Sequence, residues 1–199
     1  MDLYRIKKYC SDVSSVRMAY NIKLIDSGEM FFNTLFDIIS NAKKSVLIEF
    51  YEIADDKIGE ELKKLLIKKV KEKVTVRVIY DSIGSRLSSK KFFEELQTNG
   101  VRVIEYNPIK MFGSVRRWFR RDHRKIIVAD FEKALTGGFN LSLDFAPYSM
   151  GGNNWKDFGV YFEGESVYDI SLIFRETWVG AGGDFFEITV DAGVLLSQL

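Results

Sequence analysis

Short apolar runs alternate with amphipathic segments through the middle of the sequence, and few folds are compatible with this alternation. The runs at 45–51, 74–80 and 101–106 have the composition of buried strands. Between them, 56–71 and 88–99 repeat apolar side chains at helical spacing. Two successive strand–helix–strand units predict an α/β fold, with a mostly parallel central sheet and helices on its faces.

Length and composition indicate one globular domain over residues 1–199. A chain that is 46% hydrophobic and 29% charged suits a single core and excludes a disordered protein. We interpret 1–22 as an N-terminal arm and 180–199 as a tail of uncertain role, in which 185–190 has the composition of an edge strand. The single cysteine excludes an internal disulfide. No run of about 18 apolar residues is present to span a bilayer, and the polar first residues do not resemble a signal peptide.

The sequence contains one histidine, His123, in a segment with further groups suited to binding an anion. Histidine is the side chain best suited to nucleophilic and acid–base work near neutral pH. A predicted buried strand at 125–128 puts His123 and Lys125 on one face, because side chains alternate across a strand. Asp130 falls on the opposite face by the same alternation. This position favours a structural role, in bracing the framework of the sheet, over contact with the anion.

A glycine-rich turn and an amide follow this strand. Gly137 and Gly138 carry no Cβ, so the backbone there can approach a ligand closely. Asn140 then supplies an amide donor. The imidazole, the ammonium and the amide together make a suitable site for a tetrahedral phosphate.

These positions form the pattern His-x-Lys-x4-Asp-x6-Gly-Gly-x-Asn, which resembles the signature motif of the phospholipase D superfamily. The resemblance covers roughly residues 20–180, where four further segments are similar to the first catalytic half of bacterial cardiolipin synthases. These segments are Gly28-Glu29, Val46-Leu-Ile-Glu-Phe-Tyr, Tyr80-Asp81-Ser82-Ile83-Gly84-Ser85-Arg86 and Asn154-Trp155-Lys156-Asp157. The fold that the resemblance implies is phospholipase D-like.

The resemblance implies catalytic roles for four residues of the motif and a supporting role for its glycines. The four are His123, Lys125, Asp130 and Asn140, and the glycines are Gly137 and Gly138. His123 would attack phosphorus to form a phosphohistidine, while Lys125 and Asn140 neutralise the phosphoryl oxygens, so no metal and no other cofactor is expected. The composition agrees, because one histidine and one cysteine make no imidazole–thiolate metal cluster.

Two carboxylates outside the motif have more than one interpretation. Asp157 is a candidate to orient His123 by accepting a hydrogen bond from one ring nitrogen, or it is an ordinary carboxylate at the start of a strand. Glu49 interrupts the apolar run of a predicted central strand, and a buried carboxylate needs a partner. It therefore supports the site or pairs with a cation, unless it faces water at a strand end.

Residues 107–121 form a segment directly before His123 that contains five cations and no acid. The cations include Arg120 and Arg121, and they alternate with methionine, phenylalanine and tryptophan. Such a segment suits anionic lipid headgroups, with cations for the phosphates and rings for the membrane interface. It also suits single-stranded nucleic acid, or a loop with buried rings and solvated arginines.

By resemblance, the function is that of a phosphatidyltransferase of the cardiolipin synthase type, which moves a phosphatidyl group between phosphatidylglycerol molecules through His123. Bacterial cardiolipin synthases usually begin with hydrophobic anchors, and none is visible in this sequence. We therefore expect peripheral contact with the cytoplasmic face of a bacterial cell membrane.

The chemistry needs a second proton-transferring group that the sequence does not contain. His123 cannot attack phosphorus and also protonate the departing alcohol in the same step. In the resembling family two motifs meet at one site, so three explanations stay open: a homodimer, a fragment whose partner half carries the second motif, or a degenerate relative. The alternative functions are a homodimeric single-motif phosphodiesterase, either phospholipase D or nuclease, and an inactive half-domain that binds anionic lipid. The acceptor is also open between water, glycerol and phosphatidylglycerol.

Overall fold

The computed structural model describes residues 17–108 and 121–189. Seven strands and four α-helices form in these ranges. The strands are β1 (Tyr20–Ile25), β2 (Ser45–Phe50), β3 (Thr75–Asp81), β4 (Arg102–Tyr106), β5 (Lys125–Ala129), β6 (Lys133–Gly137) and β7 (Gly159–Glu163). The helices are α1 (Gly28–Asn41), α2 (Lys57–Lys71), α3 (Lys90–Thr98) and α4 (Ser166–Gly180), and a short 3₁₀ helix covers Tyr148–Met150.

Side-chain caps set where the first three helices begin. Ser27 Oγ accepts a hydrogen bond from the backbone N–H of Met30, and Ser89 caps α3 in the same way by accepting from Phe92. Asp56 caps α2 with its carboxylate. These oxygens satisfy N–H groups that have no partner within the helix, which is why α2 and α3 begin within about two residues of the predicted segments 56–71 and 88–99.

The strands form one sheet in the order β1-β7-β6-β5-β2-β3-β4. β2, β3 and β4 pair in parallel, as the successive strand–helix–strand units predicted. The other neighbouring pairs are antiparallel, so β5 and β7 run against the other five strands. β5 and β6 must pair in antiparallel fashion, because only a short turn joins them and a parallel crossover needs a dozen or more residues. The α/β class is confirmed, and the sheet is mostly parallel in strand direction although most neighbouring pairs are antiparallel.

Helices cover both faces of the sheet, which explains the continuous apolar runs of its central strands. One face packs on α1, α2 and α3 through side chains such as Ile48 and Ile127. The other face packs on α4 through side chains such as Leu47 and Ile126. Every residue of β2 and β5 is buried, so adjacent residues of one strand belong to two different cores.

The start of the described chain differs from the sequence interpretation. β1 begins at Tyr20, inside the 1–22 segment that was assigned to an N-terminal arm, and it pairs with β7. It is an edge strand in which only Ile25 is buried, so it lacks the apolar alternation that marks a strand.

The tail also differs, because residues 181–189 form no strand although 185–190 had the composition of one. Phe186 instead packs into the α4 core, where its ring stacks on Phe131. The remainder of the arm and tail, and residues 109–120 of the basic segment, lie outside the described residues. None of the helices in 17–108 and 121–189 is both long and apolar enough to cross a membrane.

Candidate active site

One edge of the sheet gathers the polar side chains of the motif. The carboxyl ends of β2, β3 and β6 meet there with the amino ends of β5 and β7, because those two strands run the opposite way. His123 and Lys125 stand at the start of β5, Asn140 follows β6, and Asp157 precedes β7. The structure thus brings together four side chains that the sequence singled out.

His123 is exposed, and its backbone is held on both sides. Its carbonyl oxygen accepts a hydrogen bond from Lys125 Nζ at 2.9 Å. Asp122 Oδ1 accepts from the backbone N–H of Arg124 at 3.1 Å, which closes a turn with His123 at its centre. The ring of Tyr51 lies 4.8 Å from the imidazole, measured between centroids. These contacts hold the residue in place while its ring stays accessible to a substrate.

Lys125 is buried at the same edge, with 3% of its surface exposed. Burial lowers the pKa of its ammonium, and the carboxylates of Asp157, Asp122 and Glu52 oppose that shift. Its Nζ lies 5.3 Å from the centre of the Tyr51 ring. A desolvated cation beside the histidine is well placed to neutralise a phosphoryl group.

Asn140 is buried, and its Oδ1 has no hydrogen-bond partner among the described residues. An unpaired buried polar atom costs about 1–3 kcal/mol, so such atoms are uncommon away from sites that bind a ligand. The next residue, Leu141, donates its N–H to the carbonyl of Glu52 at 3.1 Å, which ties this segment to the end of β2. The Asn140 amide is therefore held at the site, and its Oδ1 is still able to accept a hydrogen bond.

The two glycines of the motif have a different role from the one expected. The sequence suggested that they let the backbone approach a ligand, but the structure places protein there. A Cβ on Gly138 would overlap the carboxylate of Asp157, and one on Gly137 would overlap the carbonyl oxygen of Phe158. The glycines therefore make room for the segment that brings Asp157 to the site.

Asp157 lies against Gly138, and its Oδ1 accepts a hydrogen bond from the N–H of Phe158 at 2.7 Å. Within the described residues it makes no hydrogen bond to His123. Its negative charge does act on Lys125, whose pKa it raises against the effect of burial. A role for Asp157 in orienting His123 stays a prediction.

Asp130 lies at the opposite end of β5 from the histidine. Its carboxylate accepts backbone hydrogen bonds from Lys43 at 2.8 Å, Lys44 at 2.6 Å and Ser45 at 2.9 Å. These donors lead into β2, so the side chain joins β5 to β2. These contacts support the bracing role indicated by strand parity, and the catalytic role that the resemblance implied for Asp130 stays a prediction.

Glu49 is fully buried on β2 and faces α4, on the opposite face of the sheet from Lys125. Arg124 Nε lies 3.2 Å from Glu49 Oε1. Burial raises the pKa of Glu49 to about 10, and the Asp122 carboxyl adds to the shift. The interpretation as a water-facing glutamate is therefore wrong, and the interpretation with a cation partner is confirmed. Glu49 stands behind the site rather than in it.

Arg121 points into the fold. Its Nη1 lies 3.1 Å from Ser82 Oγ and 3.4 Å from both Asp81 Oδ1 and the carbonyl oxygen of Asn107. These contacts anchor the end of the basic segment to the end of β3. Arg120 lies outside the described residues, so its role toward a phosphate stays a prediction.

Three residues near the site were missed by the sequence reasoning. Tyr51 contacts both the imidazole and the ammonium, and Glu52 carries a carboxyl whose pKa is raised by burial and then by Asp144. Both directly follow β2, and the end of a predicted central strand was the signal that could have found them. Asp122 gave no signal, because its contacts depend on segments that are distant in the sequence.

Comparison with known proteins identifies the family of the chain. A family model described as cardiolipin synthase, PLD-like domain, matches residues 35–145, more than half of the chain. Cardiolipin synthase 2 of Bacillus anthracis is 33% identical over 162 residues, which cover 81% of this chain and 32% of that protein. A cardiolipin synthase of Geobacillus sp. (strain WCH70) is 33% identical over 165 residues, which cover 83% and 33%. The chain spans about a third of the length of the curated relatives it matches.

Solved structures share the fold at low sequence identity. The phospholipase D family member Nuc from Salmonella typhimurium has a TM-score of 0.61 and 17% identity, covering 84% of this chain and 99% of that chain. The phosphatidylserine synthase of Haemophilus influenzae Rd KW20 has a TM-score of 0.65 and 17% identity, covering 88% and 40%. The phospholipase D-like architecture expected from the motif is confirmed.

Proposed function

The chain belongs to the cardiolipin synthase, phospholipase D-like domain family, and we propose that it provides one half of the active site of a phosphatidyltransferase of the cardiolipin synthase type. The observation that carries this proposal is the convergence, at one sheet edge, of exposed His123 with buried Lys125 and Asn140. The substrate would be phosphatidylglycerol, an anionic phosphodiester that needs this combination of nucleophile, cation and amide.

The proposed reaction consists of two displacements at phosphorus. A ring nitrogen of His123 attacks, the bond to the glycerol oxygen breaks with uptake of a proton from an acid, and a phosphohistidine forms. A hydroxyl of a second phosphatidylglycerol then attacks phosphorus, gives its proton to a base and releases the histidine. Lys125 and the Asn140 amide would hold and neutralise the phosphoryl oxygens in both steps.

A second half-site is part of the proposal, since the sequence contains one histidine. A second copy of the chain, or a partner half with its own motif, would supply the acid and base. The chain spans about a third of its curated relatives, which leaves room for a partner half in those proteins. Nuc is matched over 99% of its own chain, so a single domain of this fold also occurs by itself.

Exposed aromatic side chains at the same edge support peripheral contact with an anionic membrane. Trp155 and Phe158 flank Asp157 and are 65% and 64% exposed, and Tyr148 of the same loop is exposed as well. Such rings prefer the membrane interface, and the cations of 107–121 would add attraction to anionic headgroups. This edge would dock on the cytoplasmic face of a bacterial membrane with an affinity that falls as salt rises.

A homodimeric phosphodiesterase is the second candidate, because water can attack the same phosphohistidine in place of a lipid hydroxyl. A nuclease of this kind needs positive charge that extends well beyond the site. The net charge of the whole sequence is +1, which favours the lipid substrate.

The test is to identify the products that the purified chain forms from phosphatidylglycerol in mixed micelles, with its mass measured by light scattering. We expect a dimer that forms cardiolipin and a labelled phosphoenzyme, both lost in His123→Ala and retained in Glu94→Gln, which alters an exposed residue of α3. Phosphatidic acid in place of cardiolipin would favour the phosphodiesterase, and metal-independent cleavage of single-stranded DNA would favour a nuclease. Lipid binding without product or phosphoenzyme would contradict catalysis by this chain.

A further inference from the structure

Two buried carboxyl groups and a partly exposed guanidinium lie directly behind the histidine, and the proposed phosphoryl chemistry does not use them. Glu49 on β2 is 0% exposed, and Asp122, in the loop before β5, is 4% exposed. Arg124 is their shared cation, with Nε 3.2 Å from Glu49 and 3.0 Å from Asp122. Two ionised carboxylates against one guanidinium would leave a net negative charge away from water. A buried charge without a counter-ion is strongly unfavourable, so a group in such a place changes its protonation instead.

The hydrogen bonds of the cluster show which oxygens lack a donor. The Nε and the backbone N–H of Arg124 both donate to Asp122 Oδ1, at 3.0 Å and 3.1 Å. The single hydrogen on Nε is directed at Asp122, so the approach of Nε to Glu49 is an ion-pair contact without a hydrogen bond. Neither carboxyl oxygen of Glu49, nor Oδ2 of Asp122, has a hydrogen-bond partner among the described residues. One proton placed between the two carboxyl groups would satisfy oxygens of both.

We propose that Glu49 and Asp122 share one proton and that the pair, neutralised by Arg124, is a positioning group that holds the turn carrying His123. The proton resides on Glu49, whose hydroxyl donates to the Asp122 carboxylate. Burial raises the pKa of Glu49 to about 10, and Asp122 adds to this shift. Burial opposes ionisation of Asp122 as well, but the hydrogen bond from Glu49 and the contacts with Arg124 keep the Asp122 pKa below its ordinary value.

Few other charged groups face the pair among the described residues. Lys125 and Asp122 act on each other through their charges, and the Asp81 carboxylate accepts a hydrogen bond from the Asp122 N–H. Asp122 and Arg124 are the charged groups that act on Glu49. Thr177 of α4 also faces Glu49, and its hydroxyl donates to the carbonyl of Ile173 at 3.2 Å. Tyr106, at the end of β4, also acts on the charge of Arg124. Glu49 therefore meets its charges from Asp122 and Arg124, while Lys125 favours the ionised form of Asp122.

The cluster reaches the histidine through the backbone. Asp122 Oδ1 accepts from Arg124 N–H across His123, and the Asp122 N–H donates to Asp81 Oδ2 at 3.0 Å. With its other oxygen held by Glu49, the Asp122 side chain has one orientation available. A displacement of about 1 Å at a reacting group costs on the order of a hundredfold in rate, so the position of this turn matters. The rate effect rests on the proposed function, whereas the shared proton does not.

Infrared spectroscopy of the folded chain tests the shared proton without any turnover. Near neutral pH we expect the wild-type protein to show the carbonyl band of a protonated carboxyl group. Glu49→Gln should remove this band, because it removes the group that holds the proton. Asp122→Asn should keep the band but shift its frequency, because burial still holds the proton on Glu49 while its charged acceptor is lost. Glu94→Gln makes the same chemical change on an exposed face of α3 and should keep the band. A wild-type protein without the band, or a band that persists in Glu49→Gln, would overturn the shared proton.

The single histidine makes the positioning effect measurable, because its imidazole gives one set of NMR resonances. Asp122→Ala should shift or broaden these resonances and lower kcat about a hundredfold with little change in KM. Asp122→Asn retains the Oδ1 acceptor and should restore both. Equal behaviour of the two variants, or unchanged imidazole resonances in folded Asp122→Ala, would overturn the positioning role. If neither the wild type nor a variant turns over while the infrared and NMR results are as expected, the proposed function fails and this inference stands.

Discussion

The two ends of β5 use the polar groups of one motif in opposite ways. At the far end, the Asp130 carboxylate accepts hydrogen bonds from three successive backbone N–H groups that lead into β2. At the near end, His123 is exposed, and oxygens of Asn140 and Glu49 lack hydrogen-bond partners among the described residues. The far end is satisfied internally and stabilises the sheet. The near end keeps buried oxygens without partners, to which the proposals above assign a substrate and a shared proton. Residues of one motif can therefore have very different surroundings.

The largest effect should come from the near end. His123→Ala should lower turnover of phosphatidylglycerol by a factor on the order of 10⁴ or more, because it removes the nucleophile. The ring is exposed, so the free energy of unfolding should change by less than about 0.5 kcal/mol. Product formation and urea denaturation measure the two quantities. A large loss of stability would show that this end of β5 is structural too.

The next prediction concerns Lys125, whose removal should lower the rate of the reaction without lowering the stability of the fold. Lys125→Met should lower kcat/KM by about 10²–10³-fold, since the phosphoryl oxygens lose their counter-charge, while stability stays equal or rises. Because burial lowers the pKa of Lys125, wild-type activity should also fall with rising pH before the ordinary range of lysine is reached. The residual activity of Lys125→Met should lack that fall. An identical pH–rate profile in both proteins would assign the titration to another group.

At the far end the effect should be on stability alone. Asp130→Ala removes the acceptor of three backbone N–H groups and places alanine at a φ of 56°, so unfolding should become easier by about 2–4 kcal/mol. Asp130→Asn keeps one oxygen and tolerates this φ, so it should lose about half as much. Both folded variants should turn over at the wild-type rate at low temperature. Reduced kcat with an unchanged melting temperature would instead support the catalytic role that the resemblance implied for Asp130.

The smallest effect concerns the shared proton behind the near end. The pKa of Glu49 is about 10 in the folded state against an ordinary value of 4.5, so between these values only the folded state holds the proton. Its stabilising contribution is complete below the unfolded pKa and is lost as pH rises through the folded pKa. From about pH 5 to about pH 9, the wild type should therefore lose at least about 1 kcal/mol more stability than Glu49→Gln. Urea denaturation across this range checks the difference, and parallel curves for the two proteins would contradict it.

Local sequence was sufficient for the central elements of the fold. The cap at Asp56 and the apolar spacing after it predicted a helix over 56–71, and α2 covers Lys57–Lys71. β1 and β6 were missed, because one is an edge strand with a single buried side chain and the other is short. Both are stabilised by pairing with β7, which is distant in sequence from β1.

The motif by itself determined the candidate nucleophile and placed Lys125 on its face, because the alternation of side chains along a strand is a local property of the backbone. Only the tertiary structure decided that Gly138 makes room for Asp157 and that Glu49 meets Arg124. These contacts join segments that are far apart in the chain. Burial, which sets the charge state of Glu49, depends on every layer packed around β2 and cannot be derived from any one segment.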